Sequence, residues 1–209
     1  YKDFNQVKKS FYRSTKFAQK LNLDCLELHM AHGYLLHQFF SPITNKRVDK
    51  YGGSLEKRCQ FLIEVAKIVR RNWSKKKILG ARITGKDWIK NGLQIKDSIY
   101  LTKQLKKIGF DYVCVSSGGL VSSTDFKPKL NFNYLIAKKI KKKCNILVRV
   151  GGMIEDIDFA KKIINCNDVD MISNAKKYIY EPNFILKELS KLNTKKNAIP
   201  NQYRRCYKI

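Results

Sequence analysis

The chain of 209 residues has no apolar run approaching the roughly 18 residues that a membrane-spanning helix needs, so no membrane association is expected. It has no apolar signal segment at its start, where Tyr1, Lys2, Asp3 and Phe4 stand. No two of its six cysteines (Cys25, Cys59, Cys114, Cys144, Cys166, Cys206) form a C-x-x-C pair, which argues against a zinc knuckle or a thioredoxin-type motif. Reduced thiols and a cytoplasmic location follow as expectations, with Cys25 and Cys114 read as buried small hydrophobes inside strand patterns. Acidic residues are scarce: 17 stand against 43 basic ones, for a net charge of +26. That balance raises nucleic-acid binding as a function. The lysines, however, are scattered along every expected helix. Their densest clusters, Lys75 to Lys77 and Lys141 to Lys143, fall at helix ends, where cations favour the helix dipole. No zinc-finger or helix-turn-helix signature accompanies them. Nucleic acid is therefore not the expected partner, and the charge reads as a lysine-rich solvated surface.

What is present is a globular composition, 44% hydrophobic and 29% charged, of a size for one domain. Helical and strand patterns alternate along it. Val7, Phe11, Ala18 and Leu21 recur at helical spacing, and Leu23 to Met30 reads as a strand. A long loop runs to Gly53. Ser54 caps a helix with Phe61, Leu62, Val65, Ala66 and Val69 on its apolar face. Further strands are expected over Ile78 to Thr84, Tyr112 to Ser116, Ile146 to Val150 and Val169 to Ser173. The helices between them carry Leu101, Leu105 and Ile108, then Leu135, Ile136 and Ile140, then Ile157, Ala160, Ile163 and Ile164. The first of these stops at Gly109, and a last helix spans about Pro182 to Leu192.

Such alternation implies a parallel sheet, either doubly wound or closed as a barrel. Glu27, Arg82 and Arg149 sit in or beside the strands, which suits a barrel better than the continuous apolar strands of a doubly wound sheet. Five strands cannot close a normal eight-stranded barrel, so the barrel reading requires further units.

All three histidines, His29, His32 and His37, lie at the end of the first strand or in the loop after it. That end is where barrel enzymes build their sites, and a loop of about twenty residues there exceeds the ~2–6 typical of βα connections. A pair of imidazoles three residues apart could bind a metal, but no carboxylate or thiolate at ligand spacing accompanies it. The two could be structural. They could also donate two N–H groups to one substrate oxygen, as an oxyanion hole does, and this suits the position best.

The segment from His29 through His32, Tyr34, Ser41, Asn45, Arg47, Asp49, Gly52, Gly53 and Glu56 to Arg58 resembles the hallmark segment of the Old Yellow Enzyme, or NADH:flavin oxidoreductase, family, and most resembles its bacterial ene-reductase-like branch. Further similar stretches follow in order: Arg82 to Trp88, Gly92-Leu93, Asp111 to Gly119, Val150 to Ile154, and Gln202 to Arg205. The resemblance covers essentially the whole chain. It implies a partial (β/α)₈ TIM barrel, about strands four to eight with their helices. The chain would then be a single, N-terminally incomplete flavin-binding domain using FMN with NADPH or NADH to reduce a small enone-like substrate.

The roles are carried over by position. The resemblance implies that His29 and His32 bind and polarise the substrate's carbonyl, and that Tyr34 is a proton donor. Arg82 would stand beside the flavin ring, with Gly152 near its phosphate. Arg205 would reach the site of a neighbouring subunit in a homo-oligomer. No metal is implied. Ala175-Lys176 stands where the family has a Gly-Arg phosphate clamp, which implies weaker FMN affinity: lysine lacks the guanidinium fork, and alanine restricts backbone approach. The family's first three β/α units have no counterpart, so the chain alone is expected not to reduce enones. The competing reading is a catalytically dead barrel remnant that binds polyanions through its basic surface.

Overall fold

The computed structural model describes residues 2–120, 129–191 and 199–206. Helix α1 (Lys2–Lys20) leads into strand β1 (Cys25–Met30), and the loop beyond it folds a short helix, α2 (Leu35–Phe40). Then follow α3 (Leu55–Asn72), β2 (Ile78–Thr84), α4 (Ile95–Ile108), β3 (Tyr112–Ser116), α5 (Tyr134–Cys144), β4 (Leu147–Gly151), α6 (Ile157–Asn165) and β5 (Met171–Ser173). Short helices α7 (Lys176–Tyr180), α8 (Phe184–Lys191) and α9 (Asn201–Arg204) complete the order. The five strands form one parallel sheet in the order β1-β2-β3-β4-β5.

That order decides between the two sheet types. A doubly wound sheet reverses its strand order and covers both faces with helices. Here every crossover steps the same way. With right-handed crossovers, all connecting helices then lie on one face and the other face is a barrel interior. Strand periodicity sorts the residues accordingly. Leu28, Met30, Ala81, Ile83, Val113, Val115, Val148 and Val150 alternate toward the helices and are all buried. They join the buried face of α3 (Phe61, Leu62, Val65, Ala66, Val69) in one core. The alternate positions face the lumen, and the register aligns them in layers. Glu27, Gly80, Tyr112 and Leu147 form one, and His29, Arg82, Cys114, Arg149 and Met171 the next toward the strand C-termini.

Local signals did what their chemistry allows. Ser54 accepts a hydrogen bond from the Lys57 backbone N–H as the N-cap of α3, and Gly109 ends α4 with φ +99°. Several expectations need correction. Cys25 is exposed rather than buried, because β1 lies at the edge of the sheet and Cys25 opens it, whereas Cys114 in central β3 is buried. Leu21 and Leu135 are exposed: the first falls past the end of α1, and the second points away from the face of α5 that buries Ile136, Ala137 and Ile140. Ile164 is likewise partly exposed, while Ile163 beside it is buried. Strands β1 and β5 start two residues later than their apolar patterns, and β4 is offset by one. The last expected helix is α8, and Leu192 lies outside the described residues.

Candidate active site

The loop after β1 is fixed by a buried polar network that starts at His37. Its Nε2 donates to Asp87 Oδ1 at 2.9 Å, and its Nδ1 accepts from the Gly33 backbone N–H at 2.9 Å. These two bonds define the tautomer, with the proton on Nε2. Asp87 Oδ2 accepts from Ser41 Oγ at 2.6 Å and from the Leu93 backbone N–H at 2.8 Å. Burial works against the Asp87 carboxylate, but hydrogen bonds from His37, Ser41 and Leu93 outweigh it and hold the carboxyl below its ordinary range. Outside this network, Asn45 donates to the carbonyls of Phe39 and Tyr51, and Arg58 donates to those of Phe40 and Gly53. The loop's polar residues thus satisfy backbone groups that burial would otherwise strand.

Gly33 is held from both sides. Its φ is +77°, and a Cβ there would lie 2.1 Å from the Gly119 carbonyl oxygen. The loops after β1 and β3 therefore meet backbone to backbone, which only glycine permits. This contact gives the Gly118-Gly119 pair its structural meaning.

The network presents His32 and Tyr34 on either side of Gly33. The rings of His29 and His32 have centroids 5.2 Å apart, and those of His29 and Tyr34 also 5.2 Å. His32 Nε2 shares a 2.7 Å hydrogen bond with Ser116 Oγ, at the C-terminal end of β3. Burial lowers the His32 pKa to about 4, with the charge of Arg82 acting in the same direction. His29 is lowered by the same two causes in the same order. Both imidazoles are therefore neutral at neutral pH, the state in which each can donate one N–H and accept at its other nitrogen. Tyr34 is 64% exposed, so its phenol is open to a ligand entering the rim.

Ser116 also lines a cavity of about 340 Å³ at the same end of the sheet, together with Arg82, Arg149, Gly152, Ala175 and Lys176 among others. Four expected site residues, Arg82, Gly152, Ala175 and Lys176, thus line one cavity, whereas His29, His32 and Tyr34 do not line it and His32 meets its wall only through Ser116. His29 pairs in register with Arg82, whose charge acts on both histidines, so the imidazoles adjoin the cavity at that residue. Ala175 has φ −122°, which any residue adopts, so alanine strains nothing there. Arg205 is exposed just beyond α9 and does not line the cavity.

Among the described residues, the Nε groups of Arg82 and Arg149 are buried without a hydrogen-bond partner. A buried donor without an acceptor costs ~1–3 kcal/mol, so the cavity wall is built for an acceptor-rich ligand. This fits the ring edge and phosphate of a flavin mononucleotide. No group of three or more His, Cys, Asp or Glu able to hold a metal occurs among the described residues. Sequence reasoning missed the parts played by His37, Asp87, Ser116 and Arg149. A polar residue at a lumen-facing strand position was the signal for Arg149; nothing in the sequence alone paired His37 with Asp87.

Comparison with known proteins gives the family and the fold. The model of the NADH:flavin oxidoreductase / NADH oxidase family matches residues 1–195. An NADPH dehydrogenase of Bacillus velezensis is 35% identical over 197 residues, which are 94% of this chain and 57% of that protein. The chain therefore spans little more than half the length of this curated relative. Among solved structures, a 2-naphthoyl-CoA reductase superposes with a TM-score of 0.81 at 22% identity, covering 90% of this chain and 29% of that one. An old yellow enzyme homologue from Zymomonas mobilis gives a TM-score of 0.73 at 21% identity, covering 91% and 53%. These structural likenesses speak for the barrel fold; the match over nearly the whole chain carries the classification. This protein belongs to the NADH:flavin oxidoreductase / NADH oxidase family.

Proposed function

We propose that the chain is the flavin- and substrate-facing part of an FMN-dependent NAD(P)H oxidoreductase that reduces activated C=C bonds of small enone-like molecules. One observation carries the reading: the His29 and His32 rings, 5.2 Å apart, stand at the C-terminal end of the parallel sheet, with His29 in register with Arg82. Bound FMN would supply hydride chemistry between NADPH or NADH and the alkene. Arg82 would hold the electron-rich edge of the ring, and Lys176 with the backbone at Gly152 would hold the phosphate. His29 and His32 would donate to one substrate oxygen and draw electron density from the double bond, as an oxyanion hole does. Neutral imidazoles serve this role as donors without adding charge beside Arg82. Tyr34, exposed beside His29, would supply the proton to the α-carbon. Six free cysteines suit a reducing cytoplasm. In a homo-oligomer the exposed Arg205 is free to enter a neighbour's site.

The test is a titration of the 209-residue chain with FMN, followed by flavin fluorescence. Saturable binding is expected, weakened at least tenfold by Arg82→Ala. Adding 2-cyclohexenone should perturb the absorbance of the bound flavin in the wild type and not in a His29→Ala, His32→Ala double variant. A chain that never saturates with FMN, or an enone response indifferent to both histidines, contradicts the proposal.

A further inference from the structure

The lumen floor holds a polar assembly that the proposed reaction does not use. Arg149 on β4 reaches across the sheet and pairs with the Glu27 carboxylate on β1. Tyr112 on β3 donates to the same Glu27 oxygen at 2.8 Å, and the Arg149 guanidinium lies 5.2 Å from the centre of the Tyr112 ring. Gly80 on β2 makes room for this: a Cβ there would lie 2.1 Å from the Tyr112 ring. Glu27, Gly80 and Tyr112 share one register layer, so the tyrosine crosses β2 over the glycine to reach the glutamate. The result is a rigid mount for Arg149, built from three strands.

That mount aims a charge. Arg149 shares its register layer with Arg82, and both line the cavity with a buried Nε donor that lacks an acceptor. Arg82 has no ion pair among the described residues, and Arg149 has Glu27 alone. The two guanidiniums stand on either side of Cys114 in that layer, so both charges face the same cavity and favour an anion there. Glu27 is the carboxylate that offsets Arg149, and it uses only one edge of the Arg149 fork.

We propose that Arg149 is a second flavin-binding guanidinium, set in the same lumen layer as Arg82 to stabilise negative charge on the reduced ring, and that Glu27 is its counter-ion and mount. The assignment rests on the proposed FMN reading. It makes Glu27 and Arg149 act in opposite senses on the cofactor although they are bonded to each other. Losing the cation disfavours added electron density on the flavin; losing the counter-ion favours it. A purely structural ion pair predicts the same sense for both losses.

The experiment is a spectroelectrochemical titration of the FMN-loaded 209-residue chain as wild type, Arg149→Met and Glu27→Gln. Glutamine keeps an acceptor for Tyr112 and Arg149 while removing the charge. Arg149→Met should weaken FMN binding about tenfold and shift the oxidised-to-reduced ratio about tenfold toward oxidised, about −30 mV for a two-electron couple. Glu27→Gln should shift the potential upward. Arg149→Lys, which keeps the charge and loses the fork, should fall between wild type and Arg149→Met. Potentials that move together in the first two variants, or that stay at the wild-type value in Arg149→Met while FMN still binds, overturn the Arg149 assignment alone. A wild-type chain that binds no FMN overturns this assignment and the function beneath it.

Discussion

The two sides of the cavity are built differently. The histidine side, over β1 to β3, rests on fully buried groups: the His37 and Asp87 side chains are inaccessible, and the four bonds joining them to each other, Gly33, Ser41 and Leu93 lie between 2.6 and 2.9 Å. The other side, over β4 and β5, where the proposed phosphate site lies, rests on a three-residue strand whose positions are all partly exposed and on a five-residue helix with no buried side chain. Donors that polarise a substrate must be aimed before the substrate arrives, because reorganisation during the reaction would cancel their benefit. A phosphate site can be completed by the charge it binds. The chain therefore places its packing and hydrogen bonds where direction matters, and the exposed Lys176 where charge alone suffices.

This contrast can be broken from the rigid side. Asp87→Ala strands the His37 N–H, the Ser41 hydroxyl and the Leu93 N–H in the core, and should cost about 3–5 kcal/mol in chemical denaturation. Gly33→Ala forces a side chain into a positive φ and against the Gly119 carbonyl. It should cost about 2–3 kcal/mol and release the bond between Gly33 and His37. An Asp87→Ala variant as stable as the wild type would remove the basis for calling the histidine side pre-aimed.

Acid titration probes the same side more gently. The folded pKa of His32 lies at about 4 and that of His29 is also below its ordinary 6.5, so the unfolded chain binds more protons between those values. The stability they contribute is complete above pH 6.5 and is lost as pH falls toward 4. Replacing His32 with Asn should flatten the slope of stability against pH in that window; an unchanged slope would assign the acid sensitivity elsewhere. The smallest effect belongs to the phosphate side. Lys176→Ala should leave the denaturation midpoint within about 0.5 kcal/mol of wild type, since α7 buries nothing, while weakening FMN severalfold. Ala175→Gly with Lys176→Arg should tighten FMN binding by a similar factor.

The fold was legible where one physical rule governs. Apolar strand-like runs located every strand to within two residues, and Ser54 and Gly109 marked helix ends through capping chemistry that acts locally. Leu135 and Cys25 were misread because amphipathic pattern does not say which side of a helix or which end of an edge strand is covered. At the site, His29 and His32 announced themselves as two imidazoles at a strand end. His37 did not, because its partner lies fifty residues away and only the fold brings Asp87 to it. Arg149 and Glu27 were visible as polar residues in strands, but their pairing spans 122 residues and depends on the layer register. Charge composition said little about the site, since many lysines of the +26 surface lie far from the cavity.

With three histidines in the chain, long-range ¹H–¹⁵N correlation of the imidazoles against pH tests the central geometry directly. His32 should be neutral at pH 6.5 and protonate only toward pH 4, His29 should titrate below its ordinary 6.5, and the His37 Nε2–H should show as a hydrogen-bonded donor. Titration of His29 and His32 at or above 6.5, with ring shifts indifferent to Arg82→Ala, would place them in open solvent and contradict the account.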